Sequence, residues 1–451
     1  MGVSLTRTQG TPTSRKKFTF SFWYKKTTVR DYGASTSDGL IFNSADSNDN
    51  RLSFYINQEN SPYDTVRLIG RNGASQVLDV KTNAVLRDPS AWYHIVAKVD
   101  TTQSTNTDRA KLYINGVEQS LSISTYPNQD VELNIQYTPY LLSYSGSGNY
   151  VEGLITHYHY TDGYAYDAST FGETDSTSGI WKPKTAPSVT YGTNGFFLKF
   201  ENSGAMGTDS SGNGNNFTVS GTLTQNVDTP SNNFSTLTPL VSRKGTLTNG
   251  NLTHEGSGAT APNNVISSLG VTSGKFYIEA KLITGSNYNG FGVVTEKNSY
   301  INSGTNYLSN ANNALMYVYS DIYRGGASIS GTYATLATND IVRIAIDADN
   351  KFLYFGVNDT WQNSSDPTSG SSGTGALNMT TYLGSDVTYF VAAETGGASN
   401  TRKIEFNFGQ GYFGTTAVVS ANADGNGLGA FEYAVPSGYY ALCTKNIKEF
   451  G

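Results

Sequence analysis

Along most of this chain apolar and polar side chains alternate one for one, in short runs separated by stretches of Gly, Asn, Ser and Thr. A period of two marks a strand with one buried face, and the separators are turn formers. In FTFSFWYKK (18–26), Phe18, Phe20 and Phe22 fall on one face and Trp23 on the other. The rhythm returns at 51–57, 65–70, 92–100, 111–116, 150–160 and 195–200. It starts again at 274–283 and continues through 290–294, 314–320, 340–347, 351–359, 388–394 and 402–409. The tail 431–447 reads as a proline turn and a last apolar stretch. No segment carries a long stripe at helical spacing. Residues 167–172 predict one short helical turn, with Asp167 or Ser169 as its cap.

Between the two series, VDTPSNNFSTLTPLVSRKG (227–245) holds two prolines and no strand pattern. It predicts an extended linker over 229–244, between a first domain (1–228) and a second (245–451). The halves are not copies of one another, which excludes a repeat array. The expected fold class is all-β: two β-sandwich domains of jelly-roll type joined by a short linker.

Composition narrows the function classes. Acidic residues outnumber basic ones 36 to 30, a net charge of -6, so nucleic acid is not expected as a partner. Charged residues make up 15%, against about 25% in ordinary soluble domains, so solubility rests on Asn, Ser, Thr and Gly. The single cysteine, Cys443, excludes an intramolecular disulfide framework and a cysteine-rich zinc site. There is no run of about 18 apolar residues, and MGVSLTRTQGTPTSRKK lacks the apolar core of a secretory leader. Neither membrane insertion nor export by a signal peptide is expected.

Three blocks of the first half resemble the LamG or concanavalin-like jelly-roll family. They are FTFSFWYKK; the hairpin formed by Trp92–Asp100 and Lys111–Gly116, which ends in an Asn-Gly turn; and Val151–Thr156 as a closing strand. GFFLKF followed by Asp209-Ser-Ser-Gly-Asn-Gly-Asn resembles a segment that usually opens such domains, so residues 195–220 are expected to add permuted strands to the same sandwich. The second half resembles the SPRY family. The likeness rests on Ser273–Glu279 with Gly290–Val294, on Asp340–Asp347 with Lys351–Asn358, and on Pro436–Tyr439 with Ala441-Leu442. The pairing of the modules, with the DASTFGETD and GIWKPK connectors, resembles virion structural proteins of marine tailed phages. That resemblance implies a fibre or appendage protein, made in the host cytoplasm and placed on the virion. Its expected partners are other virion proteins, further copies of itself (a trimer among the options) and a host-surface glycan. Capsid or tail decoration with protein partners alone is the alternative, and a glycoside hydrolase a distant one.

An enzyme of this kind needs two carboxylates facing one another. The nearest pattern is Glu173-Thr174-Asp175, in Gly- and Ser-rich surroundings that suggest a loop, with Ser178 where a third acid belongs. The expectation is therefore binding without catalysis. His157 and His159 share a strand face and are weighed as metal ligands against stacking with the flanking Tyr158 and Tyr160. Asp209, Asn213 and Asn215 are candidate Ca²⁺ ligands, with a Gly-Asn turn as the alternative; no cofactor is otherwise required. Asn422–Gly427 opens like an EF-hand loop, but Tyr433 stands where the last glutamate should be. Glycans need aromatic faces and amides in solvent-facing loops. Candidates are Tyr140, Tyr144, Asn149 and Tyr150 in the first module, and Tyr307, Tyr323 and Trp361 in the second.

Overall fold

The computed structural model describes residues 2–28, 39–57, 62–146, 148–241, 245–256, 262–285, 289–301, 305–396 and 402–451. The chain divides into two units, Met1–Gln225 and Asn226–Gly451, and each is a β-sandwich.

In the first unit, eight strands form one sheet in the order Leu121–Thr125, Ser75–Val85, Thr65–Asn72, Arg51–Asn57, Gly39–Ala45, Pro139–Leu141, Ser4–Thr6 and Thr218–Ser220. Six form the other: Phe196–Leu198, Gly153–Asp162, Lys17–Lys26, Tyr93–Asp100, Ala110–Ile114 and Val117–Glu118. Phe18, Phe20 and Phe22 point into the core between them, as the alternation requires. The Phe20 ring lies 4.6 Å from Phe42 and 5.7 Å from Phe54, so one strand of the six-stranded sheet is keyed into two of the other. Residues 195–220 give a strand to each sheet. Phe196–Leu198 pairs with Gly153–Asp162, and Thr218–Ser220 pairs with Ser4–Thr6.

The second unit is built the same way. One sheet runs Thr246–Thr248, Thr253–Gly256, Arg402–Asn407, Lys275–Thr284, Ile341–Asp347, Phe352–Val357 and Thr360–Trp361, with two short strands branching from it. The other runs Asn263–Val271, Tyr389–Thr395, Asn289–Thr295, Ala314–Val318, Asp321–Arg324 and Ala327–Ile329. Phe276, Ile278, Ile344 and Phe406 meet Phe291, Val293, Tyr317 and Val391 in the core.

The segment expected to be an extended linker is packed over 232–238, although Leu240 beyond it is exposed. Phe234 and Leu237 are buried in the second unit. Ser235 N donates to Leu442 O at 2.9 Å, and Leu237 N to Asn251 O at 3.0 Å. Two isolated apolar residues carry no periodicity, so nothing local announces that a core will take them in. Residues 242–244 of that segment lie outside the described residues.

Each unit also covers outer sheet surface with connecting segments. In the first, Ala168 and Trp181 pack on Val96 and Tyr113 of the six-stranded sheet, and Phe171 and Tyr191 on its His159. In the second, the segment 408–443 brings Phe431 and Tyr439 onto Tyr277, Ala345 and Tyr354, and the loop 296–313 brings Ile301 and Leu308 onto Ile266, Val294 and Met316. Helix is confined to short pieces, the longest being Met379–Leu383 and Thr444–Phe450. No described helix is long and apolar enough to cross a membrane. The turn expected at 167–172 is a single 3₁₀ turn, Ala168–Thr170. Asp167 occupies its cap position without capping, because its carboxylate instead accepts from Lys98 Nζ (2.8 Å) and Tyr113 Oη (3.1 Å).

Candidate functional site

The four residues singled out in the first unit come together at one rim of the eight-stranded sheet. Tyr140 sits on the strand Pro139–Leu141, paired with Thr6 on one side and Asn43 on the other. Beyond Leu141 the chain turns back through a loop in which Leu142, Ser145, Gly146, Gly148 and Asn149 all have positive φ. For the non-glycine residues that conformation costs roughly 1–2 kcal/mol each, so the loop holds its shape against a local preference. Several bonds hold it. Tyr150 Oη donates to Gly146 O (3.1 Å), Tyr144 N to Gly148 O (3.1 Å), and Leu40 N to Asn149 O (3.0 Å). Tyr144 Oη reaches Asn48 Oδ1 at 2.5 Å, across 96 positions of sequence, while its ring covers Leu40, Tyr55 and Ile69. All four candidate residues are half-buried. Half-buried tyrosines held by their surroundings give a contact surface at low entropic cost.

The face behind this rim is polar. Thr218, Thr6, Tyr140, Asn43, Ser53, Ile69, Asp79 and Thr125 stand in register across all eight strands. Ser53 Oγ donates to Asn43 Oδ1 (2.7 Å), and Arg67 forks onto Asp79 at 2.9 and 2.7 Å. Asn43, Ser53 and Asp79 are buried, so the accessible chemistry lies at the tyrosine edge.

In the second unit the candidates are not gathered. Tyr323 is on the strand Asp321–Arg324 and Tyr307 precedes the 3₁₀ turn Leu308–Asn310, both on the six-stranded side. Trp361 belongs to the other sheet, where the Arg343 guanidinium lies 4.1 Å from the centre of its ring. Tyr433 takes the same cation at 5.5 Å. Trp361 is thus committed to an internal contact.

The histidines weighed as metal ligands are used for packing. The strand Gly153–Asp162 bulges between Thr156 and His159, and His157 has φ +48°. His159 stacks on Phe197 with ring centres 3.8 Å apart, and its Nδ1 lies 2.9 Å from Tyr191 Oη. His94 takes Trp181 Nε1–H on its Nδ1 at 2.9 Å. Indole only donates, so Nδ1 carries no proton and Nε2–H faces Ser21 Oγ at 2.9 Å. Burial drives the His94 pKa down to about 3 and holds those of His157 and His159 below the ordinary histidine range. No cluster of three or more His, Cys, Asp or Glu suited to a metal occurs among the described residues.

Asp209, Asn213 and Asn215 do share one loop, but their polar atoms face this chain. Asp209 Oδ1 accepts from Phe197 N (2.9 Å) and Ser211 N (2.8 Å), and Oδ2 from Ser211 Oγ and Asn215 N, both at 2.8 Å. The Asn213 and Asn215 amides donate to backbone carbonyls of 192–195. A site rich in N–H donors suits a turn better than a cation, which wants oxygens. Asp424, in the loop that opens like an EF-hand, behaves alike, accepting from Leu428 N, Gly429 N, Ala441 N and the Asn446 amide.

Glu173 lies in the short strand Gly172–Thr174 rather than in a loop, and Asp175 directly follows it. Lys182 bridges to both, at 3.7 and 2.9 Å. That ammonium, with N–H bonds from Ser178 and Thr177, holds the Asp175 carboxyl well below the usual range. The two acids belong to a hairpin and do not face one another across a groove.

Two buried acids of the second unit were not singled out from sequence. Glu279 accepts from Glu432 N and Tyr433 N (both 2.8 Å) and from Tyr277 Oη (2.9 Å). Glu394 accepts from Ser309 N at 3.0 Å and packs so closely on Gly290 that a Cβ there would lie 2.7 Å from its Cγ. Burial pushes both pKa values up to about 7. An acid within an apolar strand, as in FYIEAKL and FVAAET, was the available signal. Asn48, the partner of Tyr144, offered none.

Residues 2–163 match a family model described as the concanavalin A-like lectin/glucanases superfamily. A search of curated proteins finds no match. Solved structures similar to this chain include the SPRY domain of human HERC1, with 14% identity, covering 38% of this chain and 96% of that one at a TM-score of 0.29. A human SPRY domain has 12% identity, 36% and 94% coverage and a TM-score of 0.27. The native heptameric SAP-like pentraxin from Limulus polyphemus has 12% identity, 41% and 93% coverage and a TM-score of 0.26. Similarity at this level adds nothing to the sandwiches read from the sheets themselves.

Proposed function

We propose that this chain is a non-catalytic recognition protein of a phage virion, a fibre or appendage component that holds host-surface glycans at the tyrosine rim of its first sandwich. The observation that carries the reading is the convergence of Tyr140, Tyr144, Asn149 and Tyr150 on one edge, in a loop held in left-handed conformations by its own hydrogen bonds. Rings stack on the C–H faces of sugars, and the Asn149 amide offers a donor and an acceptor for hydroxyls. The match of residues 2–163 to a lectin and glucanase model supports a binding module of this type. The placement on a virion rests on the resemblance of the paired modules and their connectors. Several copies on one particle would turn weak single-site binding into firm attachment.

Titration of host surface polysaccharide into the full chain tests this. Tyr150→Ala should weaken binding about tenfold while leaving the thermal unfolding of both units within ~2 °C. Undiminished binding by Tyr140→Ala, Tyr144→Ala and Tyr150→Ala together would remove the rim from the mechanism. Tight binding to capsid subunits with no saccharide bound would favour decoration. Release of reducing sugar would make it an enzyme.

A further inference from the structure

The second sandwich has a groove of about 490 Å³ between the loop that leads into Ala314–Val318 and the short helix Met379–Leu383. That volume lies in the range of small-ligand sites, roughly 300–1,000 Å³. Arg324, the last residue of the strand Asp321–Arg324, reaches into it half-buried. Its Nε–H is shared between two carbonyl oxygens, Asn312 O at 2.8 Å and Tyr382 O at 2.7 Å. The guanidinium lies 6.0 Å from the centre of the Tyr382 ring. These contacts set the plane of the group and leave its charge uncompensated. Among the described residues no carboxylate pairs with Arg324, and its two terminal amino groups donate no hydrogen bond. Arg15, Arg67 and Arg71 each sit against an acid, while Arg109, which also lacks one, spends both terminal amino groups on the carbonyls of Ser104 and Pro127.

A fixed guanidinium with a free edge is a fork for an oxyanion, which it binds through two parallel N–H bonds. The rest of the lining fits hydroxyls. Ser299, Tyr300, Asn312, Thr381 and Tyr382 contribute alcohols, phenols and an amide, all neutral. We propose that this groove binds a sugar residue bearing an oxyanion, a carboxylate or a sulfate ester, forked onto Arg324, with the ring hydroxyls met by the neutral lining. The site is independent of the tyrosine rim, which belongs to the other unit.

Calorimetric titration of the full chain with trigalacturonate, its trimethyl ester and a sulfated galactose trimer tests the assignment. The acid, the sulfate or both should bind one to one, and the charge state that binds names the source. The neutral ester should bind at least about tenfold more weakly, and raised salt should weaken the charged ligand. Arg324→Gln should lose about tenfold or more, and Arg324→Lys less. Equal binding of ester and acid overturns the proposal, as does unchanged binding by Arg324→Gln, binding of hexaglutamate with the saccharides silent, or binding of none of the probes. If Arg324→Gln lowers the unfolding temperature of the second unit, the comparison of acid with ester on the unaltered chain decides.

Discussion

The two sandwiches meet the same problem with different chemistry. Each covers outer sheet surface with long connecting segments, and polar groups buried there must find partners. The first unit pins its covering segment with rings. Trp181 lies so close over Gly116 and Gly172 that a Cβ on either would fall within 3 Å of the indole, and its N–H locks the neutral His94, which stacks on Trp23 at 4.9 Å. The second unit pins its covering segments with carboxylates. Glu279 holds the backbone of 432–433, and Glu394 that of residue 309. The difference teaches that the way a face is closed decides how the unit responds to protons. A buried neutral histidine resists gaining a charge, whereas a buried carboxyl resists losing its proton.

The largest expected effect breaks the first arrangement alone. Trp181→Ala should remove about 2–3 kcal/mol from the first unit, through lost packing and an unpaired His94 Nδ1. Scanning calorimetry of the full chain should show the first unit's transition falling and the second's holding. Equal movement of both would mean that Trp181 does not act on the first sandwich separately.

Acidification should sharpen the contrast. A histidine whose folded pKa is depressed binds its proton mainly when unfolded, so its contribution is present above the unfolded pKa near 6.5 and is lost as pH falls. His94, at about 3, should cost the first unit on the order of 2 kcal/mol between pH 7 and 5, with His157 and His159 acting in the same direction. A carboxyl raised to about 7 works the other way, binding its proton when folded, so stability rises as pH falls from 7 toward the unfolded value near 4.5. Glu279 and Glu394 should each add on the order of 2 kcal/mol to the second unit over the same interval. His254, lowered to about 4 by burial, opposes one of them. The two calorimetric transitions should move apart between pH 7 and 5, and parallel movement would refute the assignment.

The smallest effect isolates one group. Glu279→Gln keeps the shape and one acceptor but turns an N–H donor toward the backbone of 432–433, at a cost of about 1 kcal/mol or somewhat more at pH 6. It should also abolish Glu279's share of the second unit's gain on acidification, read as a flatter plot of its transition temperature against pH.

The comparison also explains what was legible in the sequence. Strands such as Lys17–Lys26 showed their core face because Phe18, Phe20 and Phe22 alternate with Thr19 and Ser21, although that strand is buried on both sides. In Ser75–Val85 only Leu78–Lys81 alternate, a short run among polar neighbours, and the outward Asp79 and Lys81 are themselves buried, with Arg67 and Gln76 pairing with Asp79 there. Gly39–Ala45 and Asn263–Val271 were hidden by irregular pairing, with Ile41 at a register shift and shifts within 266–270. Of the candidate site, the four residues of the rim were legible as aromatic and amide side chains near one closing strand. The contact between Trp361 and Arg343 joins two strands, and the oxygens of Asp209 meet N–H groups both of its own turn and of Phe197 twelve residues earlier, pairings that no local pattern announces.

Read alone, the chain determined where its regularly alternating strands run and which side of each is oily, because side-chain direction along an extended backbone is a local property with a period of two. It also determined the all-β class and the scarcity of charge. Tertiary structure decided the rest: that Phe234 and Leu237 join a core, that Tyr144 finds Asn48, that Trp181 lands on His94, and that Arg324 is oriented by two carbonyls with no acid beside it. Those outcomes depend on strand order and register, which bring together residues far apart in sequence, and no local pattern encodes a partner's identity.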